Sequence, residues 1–552
     1  MVGNSAVASG GANLYMTSSS VAFLLQNILA NGASGSGIYV NGTSPRLLMW
    51  YNDVYNNAGG NYAGSTVDVT GVRGNISSDP RFKAYSRDGN YANDNLALNV
   101  GSPATDAGDA EFLDLDGTKA DLGAGGGDDD RLVSGATHHV TPLGNTPYST
   151  IATAISAATS GSVIYVYPGM YHGDFVYGGK NLTVKGAYGP ETAVAVGSST
   201  GASLVNAETS AAVLDGFTMW SEGTTVVNST SSSPTIKNMH FRNFNQYSST
   251  AGYYVVSHTG GAPTYTDVLF EDNSAHYIGY FTGSQPVLTR CKFINNRGYY
   301  GGGPYFLSST VAKVNDSIFQ GNTSVNASAG AILAYNSVNL ELNNSKFTNN
   351  TSLNYGGAVL VYGSSTVKVT NTTFEGNSST TYPGGGLAVH SSSNGELSNV
   401  TFTNNRAPNG GGLALTSATT TNTLKLTNVT FTGNTAVSSG GGLYTSSGVV
   451  TLTNVTMTGN DGTTYGGGLH AVSSATTVTD SSFSNNKAIN SGAGYGGGIY
   501  TTSGSLNMSN TTVTDSQAYT YGAGVHTSST TPVTLTGVTL TGNKSINTTS
   551  GY

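Results

Sequence analysis

The chain has 552 residues, of which only 9% are charged, and a formal net charge of −8. A charge so thinly spread, with no basic patch, argues against nucleic acid and anionic membrane as partners, and no stretch is apolar enough to span a bilayer. Gly, Ser, Thr and Asn dominate, as they do in many disordered chains, but apolar residues recur in phase over most of the length, which argues for a folded repeat.

Residues 1–75 read as the terminal coils of a first solenoid. Gly10-Gly11-Ala12, Ile28 to Asn31, Gly37 to Val40 and Val54 to Asn57 echo the later repeats imperfectly. With nothing ahead to cap the first coil, this end is expected to be an open edge. The start has neither a basic segment nor an apolar core and is not a secretion signal.

Residues 76–130 read as the closing segment of that solenoid. They hold the densest carboxylates of the chain, among them Asp114, Asp116 and Asp121. Asp-x-Asp-Gly spacing can wrap oxygen ligands around calcium, the one cofactor to consider; the alternative is a solvated acidic turn, since the full twelve-residue loop is absent. Residues 131–147 read as a linker, within which His138-His139 is a weak metal candidate. A short capping helix is expected at about 148–159, from the spacing of Ile151, Ala154, Ile155 and Ala158, and a second solenoid from 148 to 552.

The region 236–300 carries the most reactive side chains, including Lys237, His240, Arg242, Asp267, Glu271, Arg290 and Lys292. They recur at no single coil position and read as scattered surface charges. After Gly301 acidic and basic residues are sparse, and general acid–base catalysis has no obvious candidates. The single cysteine, Cys291, allows no intrachain disulfide and reads as a small buried wall residue.

Residues 340–543 carry one pattern about seven times, at intervals of roughly 26–30 residues. Leu424 and Leu426 are two apart, Val429 follows after three, and Phe431 after two. A step of three would flip the inward face of a strand unless the chain turns a corner there. The corner residue is Asn371, Asn399, Asn428 or Asn454 in successive copies, a residue type that tolerates left-handed backbone. Phe347, Phe374, Phe402 and Phe431 form an aromatic column, a second Asn column follows three residues later, and glycine clusters supply a third bend. Strand and corner in alternation make one coil of a parallel β-helix, with like residues stacked at about 4.8 Å.

Phe402-Thr-Asn-Asn405 with Gly410-Gly-Gly-Leu413, and Phe347-Thr-Asn-Asn350 with Gly356-Gly-Ala-Val359, resemble the passenger repeats of polymorphic outer-membrane proteins and other β-helical surface proteins. The likeness covers about 290–545, more loosely from 160. No C-terminal membrane barrel is read in these residues, so autotransport is not carried over. Ser78-Asp-Pro80 through Asp121-Leu-Gly resembles the closing segment of right-handed β-helices, and Tyr148 to Gly186 resembles the opening of pectate-lyase-like ones. The fold class expected is all-β: a right-handed parallel β-helix with a short capping helix.

Closing segment before cap helix, and coils left unfinished at Tyr552, give a permuted order. This reads either as an arbitrary excerpt or as a unit that stacks head-to-tail with copies of itself. Asn-x-Ser/Thr sequons at Asn41, Asn181, Asn228, Asn315, Asn322, Asn326, Asn349, Asn377, Asn507, Asn543 and Asn547 are candidate glycan sites. The tyrosines, 33 in all, serve either as strand packing or as platforms for sugar rings. The function expected is a non-enzymatic, extracellular or cell-surface fibre or adhesin, with its own copies and glycans as partners. A polysaccharide-active β-helix enzyme and a phage-type tail fibre are the alternatives.

Overall fold

The computed structural model describes residues 11–17, 20–42, 46–86, 94–108, 119, 121–123, 138–141, 148–246, 252–308, 310–326, 329–417 and 419–547. The chain divides into two compact units, residues 1–150, 165–170 and 186–194 forming the first and the remainder the second.

The first unit is built on short parallel coils. Gly11–Met16 pairs with Ser36–Val40, which pairs with Tyr62–Gly64. Val21–Leu25 pairs with Arg46–Trp50, and Ile28–Ala30 with Asp53–Tyr55. Met16, Leu24, Leu29, Ile38, Val40, Met49 and Val54 fill the interior. Beyond the coils, Phe82–Ala84 and Asn95–Leu98 form an antiparallel pair. His138 and His139 lie on a short strand, His138–Val140, inside the stretch read as linker.

The second unit contains a seven-residue helix, Ile151–Ala157, at the place expected for a cap. It buries Ile151, Ala154 and Ile155, and the Lys180 ammonium caps its last carbonyls, donating to Ile155 O at 2.7 Å and Ser156 O at 2.9 Å. A cation there also suits the negative end of a helix. From Val213 onward the chain winds as a parallel solenoid. A long sheet takes two strands from every coil, a second sheet takes one, and a third is made of short strands such as Thr323–Ser324 and Thr351–Ser352.

The two-three-two rhythm is explained by the corner between the paired strands of the long sheet. Leu424, Leu426, Val429 and Phe431 are all fully buried, and Asn428 between them has φ 55°. The same left-handed corner occurs at Asn371 (49°), Asn399 (56°) and Asn454 (53°), and is filled by Asp267, Arg290, Asp316, Asp480 or Gly537 in other coils. These corner amides are exposed and chain outward to one another: Asn399 Nδ2 donates to Asn371 Oδ1, and Asn428 Nδ2 to Asn399 Oδ1, both at 3.0 Å.

Inside, two ladders run along the coils. Phe270, Phe293, Phe319, Phe347, Phe374, Phe402 and Phe431 stack face to face with centroids 4.4–4.9 Å apart. Beside them runs a buried amide ladder. Asn405 Oδ1 accepts both N–H and Nδ2 of Asn377 at 2.9 Å. In turn Asn405 Nδ2 donates to Asn434 Oδ1 at 3.0 Å and to the Phe374 carbonyl at 2.9 Å. The amide therefore satisfies the backbone groups that the second bend leaves without a strand partner.

Asn405→Ala strands the Asn377 donors and the Phe374 carbonyl, at about 1–3 kcal/mol for each buried group. Urea unfolding should show a loss of about 3 kcal/mol or more. Asn399→Ala, at the exposed corner, should lose only about 1 kcal/mol, the strain of left-handed backbone in a residue with a Cβ. Equal losses at the two positions would contradict the role given to the inner ladder.

Candidate functional site

Each coil places one residue between the two inward apolar residues of its first long-sheet strand, and that residue faces out. In successive coils it is Lys313, Glu341, Lys368, Glu396 and Lys425, each paired in register with the next. Residues about 27 apart in sequence thus become neighbours about 4.8 Å apart. Lys313 Nζ lies 3.5 Å from Glu341 Oε2. A shallow groove of about 580 Å³ follows this column, lined by Asn339, Glu341, Thr366, Lys368, Asn394 and Glu396 among others. Glu341 and Glu396 stand two rungs apart, about 9.6 Å at the backbone. The groove thus offers two carboxylates, the intervening Lys368 and a wall of amides and hydroxyls.

The signal was present in the sequence: Leu340-Glu341-Leu342, Val367-Lys368-Val369 and Leu424-Lys425-Leu426 each put the charged residue at the outward position between two inward ones. Counted along the chain these charges are sparse; stacked by the coil they are contiguous. Several of the charges of 236–300 face one another along the coils instead of converging on a groove. Arg290 clamps Asp267 at 2.7 and 2.8 Å along the corner column, which holds the Asp267 carboxyl below its usual range. Lys237 lies 3.5 Å from Asp215, and Arg242 is in register with Glu271.

Tyrosines and histidines form a belt on the outside of the second sheet. Tyr254 and Tyr277 stack at 5.2 Å, Tyr277 and Tyr300 at 5.2 Å, Tyr335 and Tyr362 at 4.7 Å, and Tyr355 and Tyr382 at 4.6 Å. Beneath them lie Leu333, Leu360 and Ala388, apolar residues on the outer side of the strands. Because the ring faces cover one another, solvent meets edges and hydroxyls. The belt seals an apolar stripe rather than presenting flat platforms to sugars. Further along, His470 is 6% exposed, sits among Tyr444, Tyr465 and Tyr500, and has no hydrogen-bond partner for either ring nitrogen. Burial pushes its pKa down to about 3, as it does for His258, which stacks on Phe281 inside the cylinder.

Of the calcium candidates, Asp114 and Asp116 lie outside the described residues. Asp121 uses Oδ1 to accept the Asp106 N–H at 2.9 Å. Among the described residues no group of three His, Cys, Asp or Glu side chains could hold a metal ion. A carboxylate that the sequence did not single out, Asp53, is fully buried in the first unit, accepts the Ser78 N–H at 3.0 Å and is pushed up to about 7 by that burial.

The sequons divide by burial. Asn322 and Asn377 are rungs of the inner ladder with both amide hydrogens engaged, so a glycan on either is incompatible with the folded coil. Asn543 continues that ladder, donating to Val513 O. Asn181 holds the Thr209 N–H, Asn315 accepts from Asn343, and Asn326 donates to the Tyr299 hydroxyl. Asn41, Asn349 and Asn507 are exposed; Asn228 and Asn547 are half-buried. Cys291 is buried, and desolvation raises its thiol to about 12, in keeping with a wall residue.

Parallel coils, a left-handed corner in each and a groove along one sheet define a β-helix. Residues 200–374 and 357–545 match the family model for the right handed beta helix region, more than half of the chain, and the protein belongs to that family. No curated protein matches the sequence. Among solved structures it is similar to the catalytic unit of the thermostable GH87 alpha-1,3-glucanase from Streptomyces thermodiastaticus strain HF3-3, at 12% identity and a TM-score of 0.25, over 71% of this chain and 65% of that one. The chain therefore spans less than two thirds of that protein, and a likeness at this level carries no argument about its own reaction. The expectation of a non-enzyme is corrected at its premise: the coils after Gly301, read as lacking acid–base groups, bring Glu341, Lys368, Glu396 and Lys425 together along one groove. The comparisons support the β-helix and neither the passenger-repeat nor the pectate-lyase likeness, and they lend nothing to a fibre or adhesin.

Buried neutral histidines make stability depend on pH with a definite sign. Below the ordinary pKa of about 6.5 the unfolded chain takes up protons that folded His470 and His258 refuse until about pH 3. Stability should therefore fall as pH drops from 6.5 towards 3, by up to about 1.4 kcal/mol per pH unit for each histidine. Urea midpoints at pH 7, 5.5 and 4.5 should fall less steeply in His470→Phe than in the parent. Parallel slopes would show that His470 charges in the folded state.

Proposed function

We propose that the protein is a polysaccharide-active β-helix that holds a glycan chain along the groove beside Lys313, Glu341, Lys368, Glu396 and Lys425. The observation that carries this reading is the pair of carboxylates two rungs apart over a groove lined by amides and hydroxyls. Glycoside hydrolysis with inversion uses two carboxyl groups about 6.5–9.5 Å apart, one giving a proton to the leaving oxygen and the other drawing one from water. Glu341 and Glu396, about 9.6 Å apart at the backbone, reach that separation through side-chain rotation. Lys368 between them can hold a sugar hydroxyl or an acidic substituent, and Asn339, Thr366 and Asn394 supply the neutral hydrogen bonds that sugar hydroxyls need.

With three lysines and two glutamates alternating, the column suits neutral or weakly acidic chains. Release of reducing ends from a panel of neutral and acidic polysaccharides tests the reading. Activity should fall about 10²-fold or more in Glu341→Gln and in Glu396→Gln, while thermal melting and retention on the polysaccharide stay near those of the parent. Turnover that survives both substitutions, or its absence on every polymer tried, would refute the assignment.

A further inference from the structure

The second strand of the long sheet carries a different surface. From Thr401-Phe-Thr403 to Thr539-Leu-Thr541, six successive coils present a hydroxyl residue on either side of one inward apolar residue. Ser482-Phe-Ser484 is the one serine coil. Register is unbroken, so the hydroxyls form two straight columns. Their spacing is about 4.8 Å along the solenoid and about 6.6 Å across the strand. The same two columns carry Lys292, Lys346 and Glu375 in earlier coils, so the strand tolerates charge there; from Thr401 to Thr541 it has none. In a chain with only 9% charged residues a neutral run is expected, and the first strand is uncharged after Lys425 as well, at Thr451, Thr477, Asn507 and Thr534; β-propensity favours threonine in a strand but does not require that hydroxyls fill all twelve of these positions.

The array is held still. Under it run an apolar column, Phe402, Phe431, Met457, Phe483, Val513 and Leu540, and the inner amide ladder, and side-chain ladders of that sort help to keep a sheet flat over many strands. Hydroxyls also bond between rungs: Thr458 with Ser484 at 3.0 Å, and Thr512 to Ser482 at 3.2 Å. Water on such a surface meets donors, acceptors and methyl groups at fixed two-dimensional intervals, with little entropy left to lose on ordering. A freely tumbling solute gains nothing from a repeat six coils long. A crystalline surface gains one more contact from every rung, and many weak contacts made together bind firmly. The twelve positions themselves carry no charge and so no ionic hydration shell to strip when a neutral lattice docks; the exposed Asp480 and Asp515 stand at the corners that bound the array.

We propose that this hydroxyl array binds the surface of ice, through water ordered between the threonine columns. The inference is independent of the groove and of its carboxylates. The test uses the purified full chain. In supercooled buffer it should hold back the growth of an ice crystal below the melting point, and fluorescently labelled protein should concentrate in a growing ice shell. Both effects should be lost in the double variant Thr456→Tyr with Thr512→Tyr and weakened in Thr456→Val with Thr512→Val, with unchanged far-ultraviolet circular dichroism and melting. Arg406→Ala, on the third sheet, should keep both. The proposal is overturned if the parent neither restrains ice growth nor enters ice, or if the tyrosine double variant behaves as the parent. It is equally overturned if the parent is retained by insoluble cellulose or chitin through this array while ignoring ice, since the surface would then be a docking site for a crystalline polysaccharide.

Discussion

Everything on the surface of this protein depends on the chain returning in register after each coil. The left-handed corner and the inner amide ladder enforce that return. A strand that slipped by one residue would turn its whole apolar set outward, and the left-handed corners, at Asn371, Asn399, Asn428 or Asn454 and again at Gly376, Asn404, Gly433 or Gly459, are where a step of three keeps the face unchanged. The ladder then fixes the coil against its neighbours. Each amide, such as Asn405, binds the rung ahead, the rung behind and a carbonyl one turn back. A coil of a different length in this segment would break all three contacts.

Given that register, a column of the solenoid is the unit of chemistry. Residues separated by a full coil in sequence become nearest neighbours in space, and each outward position becomes a stripe whose character is set by one residue per coil. The long sheet carries a charged stripe on its first strand and a hydroxyl stripe on its second. The second sheet carries an aromatic belt in which Leu333, Leu360 and Tyr305, outward on their strands, are covered by tyrosines from neighbouring strands and from the turns. The third sheet is too short to build a comparable surface.

The inward half of this arrangement was legible in the sequence. Phe347, Phe374, Phe402 and Phe431 repeat because the interior admits few alternatives, and the corner asparagines repeat because left-handed backbone admits few as well. The outward half was not, since solvent tolerates many residues and repetition there is weak. Glu341 and Glu396 look isolated until the coil length is known to the residue. Stacked tyrosines look like open platforms until their faces prove to be occupied. Sequons at Asn322 and Asn377 look accessible until the ladder places them inside, because a motif read along the chain carries no information on which side of the wall it lies.

Stacking also restricts what an outward column can contain. Two like charges one rung apart repel by about 1 kcal/mol even in water, and the cost recurs at every rung of a same-sign column. A long column therefore either alternates in sign or gives up charge altogether, as like charges directly opposed on any sheet must. Lys313, Glu341, Lys368, Glu396 and Lys425 follow the first course. The threonine columns between Thr401 and Thr541 follow the second. The two courses leave different surfaces: alternation keeps ionisable groups in reach of a substrate, whereas neutrality leaves a surface of uniform hydroxyls. A single sheet can thus carry a charged groove on one strand and an uncharged lattice on the next, while beneath both the interior stays apolar even where Met457, Val513 and Leu540 replace phenylalanine.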